Sequence, residues 1–345
     1  MKYLLSISTA LLLAKEGSMT RIFQLAWLIG LACAQSAAAD PSLKDLAART
    51  EVRAIETLTI TDQQFLTGDK NGKAVTIAGQ LRFPQGASGR LPAVILQHGS
   101  GGVSGGHELW AKTFNEMGIA SFLLDSFSGR GIVSTSTNQA LLGRLNMVLD
   151  AYRAFDVLAN HPRIDSARIA VMEFSRGGQS TLYSSVKRFQ QMWNPRAAFA
   201  AYIPLYASCN TTFIGDTDLS PAPIRQFHGA ADDYVPVAPC RAYFERLRAA
   251  GRDVQLTDYP DAHHGYDNPL GNKTPTVAKG AQSVRACKLK EEPLGTIINA
   301  ETGQPFTYQD PCVQTDPHTG YNELAANATR KAVKEFVRTV FKLEP

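Results

Sequence analysis

Between residues 93 and 257 the chain carries a series of short runs that are apolar almost throughout. They cover residues 93–97, 119–124, 168–174, 197–205, 224–227 and 254–257. Each is too short for a helix, and most leave no polar face for water. Strands of this kind must be covered on both sides, and a parallel sheet flanked by helices does that. The covering helices are read from apolar positions at helical spacing in residues 108–117, 141–158, 238–250 and 322–341. Residues 52–60 and 74–81 are rich in β-branched side chains with partial alternation, and read as opening strands joined through the turn at 68–72. The fold class is α/β.

The N-terminus reads differently. From Met19 the chain runs Met-Thr-Arg, an apolar stretch over 22–34, then Gln35-Ser36-Ala37-Ala38-Ala39. A basic start, an apolar middle and small residues before the cut are the marks of a secretory signal peptide. Residues 1–39 are therefore expected to be removed, leaving one domain over 40–345. Residues 1–18 look redundant, with Met19 as the alternative start. The apolar stretch is shorter than the roughly 20 residues needed to span a bilayer, so no stable membrane insertion is expected after cleavage. Export to the periplasm or beyond suits the cysteines: without Cys33 there remain Cys209, Cys240, Cys287 and Cys312, an even number with no C-x-x-C spacing.

Composition narrows the partners. There are 35 basic and 31 acidic side chains, with no long basic run, so nucleic acid is not expected as a partner. The seven histidines are dispersed, with no metal-binding spacing, so neither metal nor cofactor is expected.

Four segments carry chemistry, each following an apolar run. In Ile169-Ala-Val-Met-Glu-Phe-Ser175-Arg-Gly-Gly a strand runs straight into a serine and two glycines. That order suits a nucleophile elbow, although an N-cap serine would read the same way. The backbone N–H of Arg176 would then face a developing oxyanion. Gln97-His98-Gly99-Ser100-Gly101-Gly102 offers further N–H groups from Ser100 and Gly101. His228-Gly229-Ala-Ala-Asp232-Asp233 supplies carboxylates, and Asp261-Ala-His263-His264-Gly265-Tyr266 supplies imidazoles. The order serine, acid, histidine is that of α/β-hydrolases.

These four segments resemble the dienelactone hydrolase family of α/β-hydrolases. The resemblance covers residues 52–341. It implies an α/β-hydrolase fold with Ser175, Asp232 and His264 as nucleophile, acid and base, while Asp233 and His263 remain neighbouring alternatives. Founding members of the family use cysteine as nucleophile. Serine here, which needs the full His–Asp arrangement for activation, shifts the expectation toward a general ester hydrolase. Glu173 stands where glycine is usual, so either the turn is looser or the carboxylate finds a partner such as Arg176. The family's substrate-carboxylate arginine lies in the loop after the fourth strand. Arg130 is in the similar place, with a solvated surface arginine as the plainer reading; Tyr266 is the other substrate-binding candidate. In such a fold the strands ending near Leu205 and Phe227 are neighbours. This would bring Cys209 to Cys240 and leave Cys287 to pair with Cys312 inside a proline-rich insertion at about 268–320.

The reading is an exported serine hydrolase that cleaves a small-molecule ester or lactone through an acyl-enzyme. Peptidase or acyltransferase activity would use the same residues. An inactive binding protein is the rival of another class, with Glu173 as its sign; reaction with an active-serine probe separates the two.

Overall fold

The computed structural model describes residues 47–344, and the expected signal segment lies outside them. The two opening strands, β1 (Ala47–Thr59) and β2 (Lys73–Pro84), pair antiparallel. Between them lies a short helix that periodicity did not suggest, α1 (Asp62–Thr67). Thr61 and Gln64 cap it reciprocally, each side chain bonded to the other's backbone N–H, and Gly68 closes it in the left-handed conformation. Two polar residues three apart thus make a helix of a stretch too short to show a period.

The sheet then continues as the apolar runs require. Its strands are β3 (Leu91–Gln97), β4 (Ala120–Asp125), β5 (Ile164–Phe174), β6 (Ala201–Leu205), β8 (Ile224–Gly229) and β9 (Val254–Tyr259); a two-residue strand, β7 (Thr211–Thr212), stands apart. The eight-stranded order is β1-β2-β4-β3-β5-β6-β8-β9, parallel from β4 through β9. Adjacent side chains of one strand enter opposite cores. Ile169 and Val171 join a core with Tyr152, Leu182 and Phe244, whereas Ala170 and Met172 join one with Trp110, Phe114 and Val333.

The first core is covered by α3 (Asn146–Ala159), α4 (Arg176–Ser184), α5 (Lys187–Trp193) and α6 (Ala238–Ala249). The second is covered by α2 (Gly105–Glu116) and α7 (Glu323–Phe341). Full burial of each large apolar side chain is worth about 1.5–3 kcal/mol, which is why both faces must be covered. No described helix is long and apolar enough to cross a membrane.

The insertion is better structured than its prolines suggested. Strands β11 (Leu289–Glu292) and β12 (Thr296–Asn299) form a three-stranded sheet with β7, and β10 (Thr276–Val277) pairs with β13 (His318–Thr319). Strands of two to four residues lie below what sequence periodicity resolves. Disulfides join Cys209 to Cys240 and Cys287 to Cys312, the pairs expected. The second closes a segment of 25 residues, for which chain entropy gives roughly 3 kcal/mol. Non-reducing peptide mapping is expected to return these two pairs, and replacing Cys287 and Cys312 together by serine should lower unfolding stability by about that amount; crossed pairs or free thiols would contradict it.

Candidate active site

Ser175 stands between the end of β5 and the start of α4 with φ 58° and ψ −115°. A side chain in this region costs about 1–3 kcal/mol, so the surroundings must hold it there. They do so from three sides. The Ser175 N–H donates to Leu205 O on β6 at 3.0 Å, and Ser175 O accepts from Gln179 N at 3.0 Å. On the third side the Gly99 loop passes over the turn, so close that a Cβ on Gly99 would lie 3.1 Å from that of Ser175. Gly177 and Gly178 let α4 approach equally closely: added Cβ atoms would sit 2.6 Å from His98 O and from Leu205 O.

The loops after β8 and β9 bring their side chains to the same turn. His264 Nε2 lies 2.7 Å from Ser175 Oγ, and His264 Nδ1 lies 2.8 Å from Asp232 Oδ2. With the Nδ1 proton donated to the carboxylate, Nε2 is left to accept from the hydroxyl. Asp232 Oδ1 accepts from the N–H groups of Tyr234 and Val235 at 2.9 and 2.7 Å. Beneath this loop His228 is wholly buried; its Nε2 donates to Val235 O at 2.7 Å while Nδ1 accepts from Gln226, and burial holds its pKa down. The rings of Tyr206 and Tyr234 pack on the His264 imidazole at centroid distances of 4.7 and 4.6 Å. Such an arrangement can take a proton from a hydroxyl and hold the imidazolium that results.

The alternative residues fall elsewhere. Asp233 pairs with His318 and Arg285. The His263 ring lies 6.3 Å from that of His318. The Ser100 hydroxyl is tied to the Gln139 amide rather than to a histidine. Ser175, Ser100 and Arg176 line one open cavity with Gln139, Arg144 and Tyr234. Gly101 is exposed and does not line it. The Arg176 side chain runs to Gln139 and Leu142 O, while its N–H, the first of α4, has no intrahelical acceptor.

Two expectations need correction, and the open one for Glu173 is met by a partner other than Arg176. Arg130 is neither a surface residue nor a ligand to substrate: its side chain is 3% exposed and gives all its donors to the protein. It bonds Asp150 at 2.7 and 2.9 Å, Thr59 Oγ1 at 2.9 Å, and the carbonyls of Ser126 and Leu58. Tyr266 is likewise buried, its hydroxyl 2.8 Å from Thr329 on α7. Glu173 does not reach Arg176. It is fully buried, takes the Gln97 amide nitrogen at 2.6 and 2.9 Å, and burial raises its pKa well above the usual carboxylate range, with hydrogen bonds from α4 offsetting part of this.

Arg144 is what sequence reasoning missed. It lies in the loop after β4, where the family resemblance placed an arginine, but fourteen residues beyond Arg130. Its guanidinium sits over the rings of Phe306 and Tyr308 from the insertion, at 5.3 and 5.4 Å. Among the described residues neither Arg144 nor Arg176 forms an ion pair, so the cavity wall carries two guanidiniums without a carboxylate. The missing signal was the aromatic partner, which lies some 160 residues further along the chain.

Removing one partner of a buried ion pair leaves the other charge stranded and costs roughly 3–5 kcal/mol. Arg130→Ala should therefore lose about 3 kcal/mol in urea denaturation, while the KM of the folded fraction stays unchanged; a raised KM at full stability would restore Arg130 as a substrate ligand.

The chain also resembles known proteins. It is 26% identical over 269 residues to a Methylorubrum extorquens protein provisionally named carboxymethylenebutenolidase, a match covering 66% of this chain and 88% of that one. Among solved structures, a dienelactone hydrolase-like promiscuous phosphotriesterase from metagenomic libraries superposes with a TM-score of 0.56 at 18% identity, covering 84% and 98% of the two chains. Thermogutta terrifontis esterase 2 gives 0.54 at 16%, covering 86% and 96%. At such identities the structural likenesses speak for the α/β-hydrolase fold. The family itself is given by a match of residues 77–295 to the dienelactone hydrolase model, so the chain belongs to the dienelactone hydrolase family and is a hydrolase of ester bonds.

Proposed function

We propose that the protein hydrolyses a carboxylic ester or lactone bearing an anionic group, through an acyl-enzyme on Ser175. The observation that carries this reading is the continuous line Asp232···His264···Ser175, with both hydrogen bonds below 3 Å. In the first half-reaction Ser175 Oγ attacks the ester carbonyl carbon while His264 Nε2 takes its proton. The tetrahedral oxyanion is met by the N–H of Arg176 and by the Ser100 loop. Collapse breaks the bond to the alkoxide oxygen, which receives the proton from His264 and leaves as the alcohol. In the second half-reaction His264 takes a proton from water, the hydroxide attacks the acyl carbon, and Ser175 recovers its proton as the acid departs. Asp232 holds the imidazole in the required tautomer and stays ionised throughout.

The anionic group is argued from charge. A guanidinium that is buried and unpaired is costly until an anion arrives. Arg144, flanked by two rings that fix its plane, can present a fork of donors to a carboxylate. The family's founding members bind a substrate carboxylate through an arginine of this same loop, which favours Arg144 for that part. Export is proposed on the signal-like residues 1–39 together with the two disulfides, which belong to an oxidising compartment.

Two measurements test the proposal. Thermogutta esterase 2 is phosphorylated by paraoxon, so an organophosphorus probe is a fitting reagent. A fluorophosphonate should label the wild type on Ser175, and Ser175→Ala should lose both labelling and turnover of p-nitrophenyl esters by about 10⁴-fold or more. Ser100→Ala should keep substantial activity. An unlabelled wild type would instead favour the inactive binding protein, and faster turnover of an amide would favour a peptidase. For Arg144→Ala, loss of a charge-assisted hydrogen bond should raise KM for a carboxylate-bearing ester by about 10–100-fold, with neutral acetate esters little affected. Equal effects on both substrates would remove the anionic group from the proposal.

A further inference from the structure

A second aspartate–histidine pair lies beside the candidate triad, and it belongs half to the insertion. Asp233 Oδ1 accepts the backbone N–H of His318 at 2.8 Å, and Asp233 Oδ2 lies 2.8 Å from His318 Nδ1. Arg285 adds to the same loop: its Nη1 donates to Asp233 O at 2.9 Å and reaches Asp233 Oδ2 at 3.4 Å, while its Nη2 donates to Thr315 O at 3.1 Å. Ser283 Oγ donates to Tyr234 O at 2.7 Å. The insertion thus grips the two residues that immediately follow Asp232.

The other end of that grip falls on the histidine. Strand β13 runs on from His318, Thr319 bridges His264 in parallel, and the Gly320 N–H donates to His264 O at 3.1 Å. A closed ring results. From Asp232 it crosses to the His264 side chain, returns through His264 O to Gly320, and passes along β13 to His318. It then crosses to Asp233 and so back to Asp232. The loop after β8 and the loop after β9, already joined by the Ala231 N–H to Ala262 O at 3.1 Å, are therefore joined in two further ways around His264, by the Asp232–His264 hydrogen bond and by three residues of the insertion.

We propose that Asp233 and His318 are positioning residues for the Asp232–His264 pair, which makes the insertion part of the catalytic apparatus. This rests on the reading of Ser175, Asp232 and His264 given above. Neither residue touches a reacting atom. Their part is to keep the His264 main chain from sliding along the β8 loop, where a shift of 1 Å in a hydrogen-bonded array can cost on the order of a hundredfold in rate. Both side chains are about 40% exposed, so any ionic contribution is screened and small. What matters is geometry: one carboxylate satisfies both a main-chain and a side-chain donor of β13.

The test uses the full-length protein with Asp233→Ala, His318→Ala, the double variant and His318→Asn, whose amide nitrogen can replace Nδ1 as donor. Each single alanine variant should lower kcat about tenfold and leave KM within about twofold. The double variant should be no worse than either single, as residues sharing one interaction behave, and His318→Asn should recover most of the loss. The low-pH limb of kcat/KM should keep its wild-type midpoint, because Asp233 is not the acid partner of His264. Circular dichroism establishes that each variant is folded. Should Asp233→Ala fail to fold, the comparison of His318→Ala with His318→Asn decides alone.

Unchanged kcat in the folded single variants, or additive losses in the double, would overturn the proposal. A displaced low-pH limb would overturn it too, by making Asp233 the acid. The wild type labelled by fluorophosphonate serves as control: if it is not labelled, the triad reading fails; if it is labelled and the alanine variants react just as fast, only the positioning role fails.

Discussion

The backbone conformation at Ser175 is the constraint on which the rest of the site depends. A non-glycine residue with φ 58° and ψ −115° persists only where its surroundings leave it no alternative. Those surroundings are built from the sheet. Leu205 at the end of β6 takes the Ser175 N–H, Gly99 after β3 closes over it, and two glycines bring α4 down onto both. Every strand that contributes ends at the same edge, as parallel order demands. The strain is thus offset by two hydrophobic cores packed on either side of those strands, and the hydroxyl is lifted clear of the sheet as a by-product.

How much of this was legible follows from which interactions are local. The apolar runs gave the parallel sheet because burial on two faces leaves its mark on every residue of a strand. The loops that bring Ser175, Asp232 and His264 together were legible because a strand followed by a tight turn needs glycine, serine or aspartate at set positions. Helix α1 was not, since a reciprocal cap between Thr61 and Gln64 makes a helix of one turn and a half without any periodicity. Nor was the fate of Arg130. Its partners Thr59 and Asp150 lie 71 and 20 residues away, and only the antiparallel hairpin of β1 and β2 brings the first of them near. Arg144 was hidden for the same reason, as its aromatic neighbours come from the insertion.

Charge in the interior is distributed with a consistent logic. Arg130 and Asp150 neutralise one another and knit β1 to α3. Glu173, lacking a basic partner, is driven toward its neutral form by burial and receives hydrogen bonds in place of a counter-charge. Glutamate where glycine is usual is therefore no sign of a decayed elbow, for the carboxyl points into the helix–strand junction behind Ser175. Arg144 and Arg176 are left without a carboxylate partner, Arg176 giving hydrogen bonds to Gln139 and Leu142 O instead, and both residues line the cavity. A fold that neutralises its charges elsewhere and leaves two of one sign at this cavity is suited to a ligand of the opposite sign.

The insertion brings these threads together. It supplies the rings beneath Arg144, and its disulfide Cys287–Cys312 ties the segment bearing Ser283 and Arg285 to the segment bearing Phe306 and Tyr308. Through Ser283, Arg285 and Gly320 it also reaches the main chain of both loops that hold the proposed acid and base. A lid that merely covered a pocket would need contacts at its hinges and at its tip. Between Gln282 and Leu294 this segment is instead hydrogen-bonded repeatedly to the elements it would have to leave, through Gln139, Tyr234, Asn210, Ile214 and Gln63. On that physical ground it behaves as a wall of the cavity: any motion that opened the side bearing Arg144 would also loosen the Asp232–His264 geometry, so the proposed binding and the proposed chemistry depend on one folded unit.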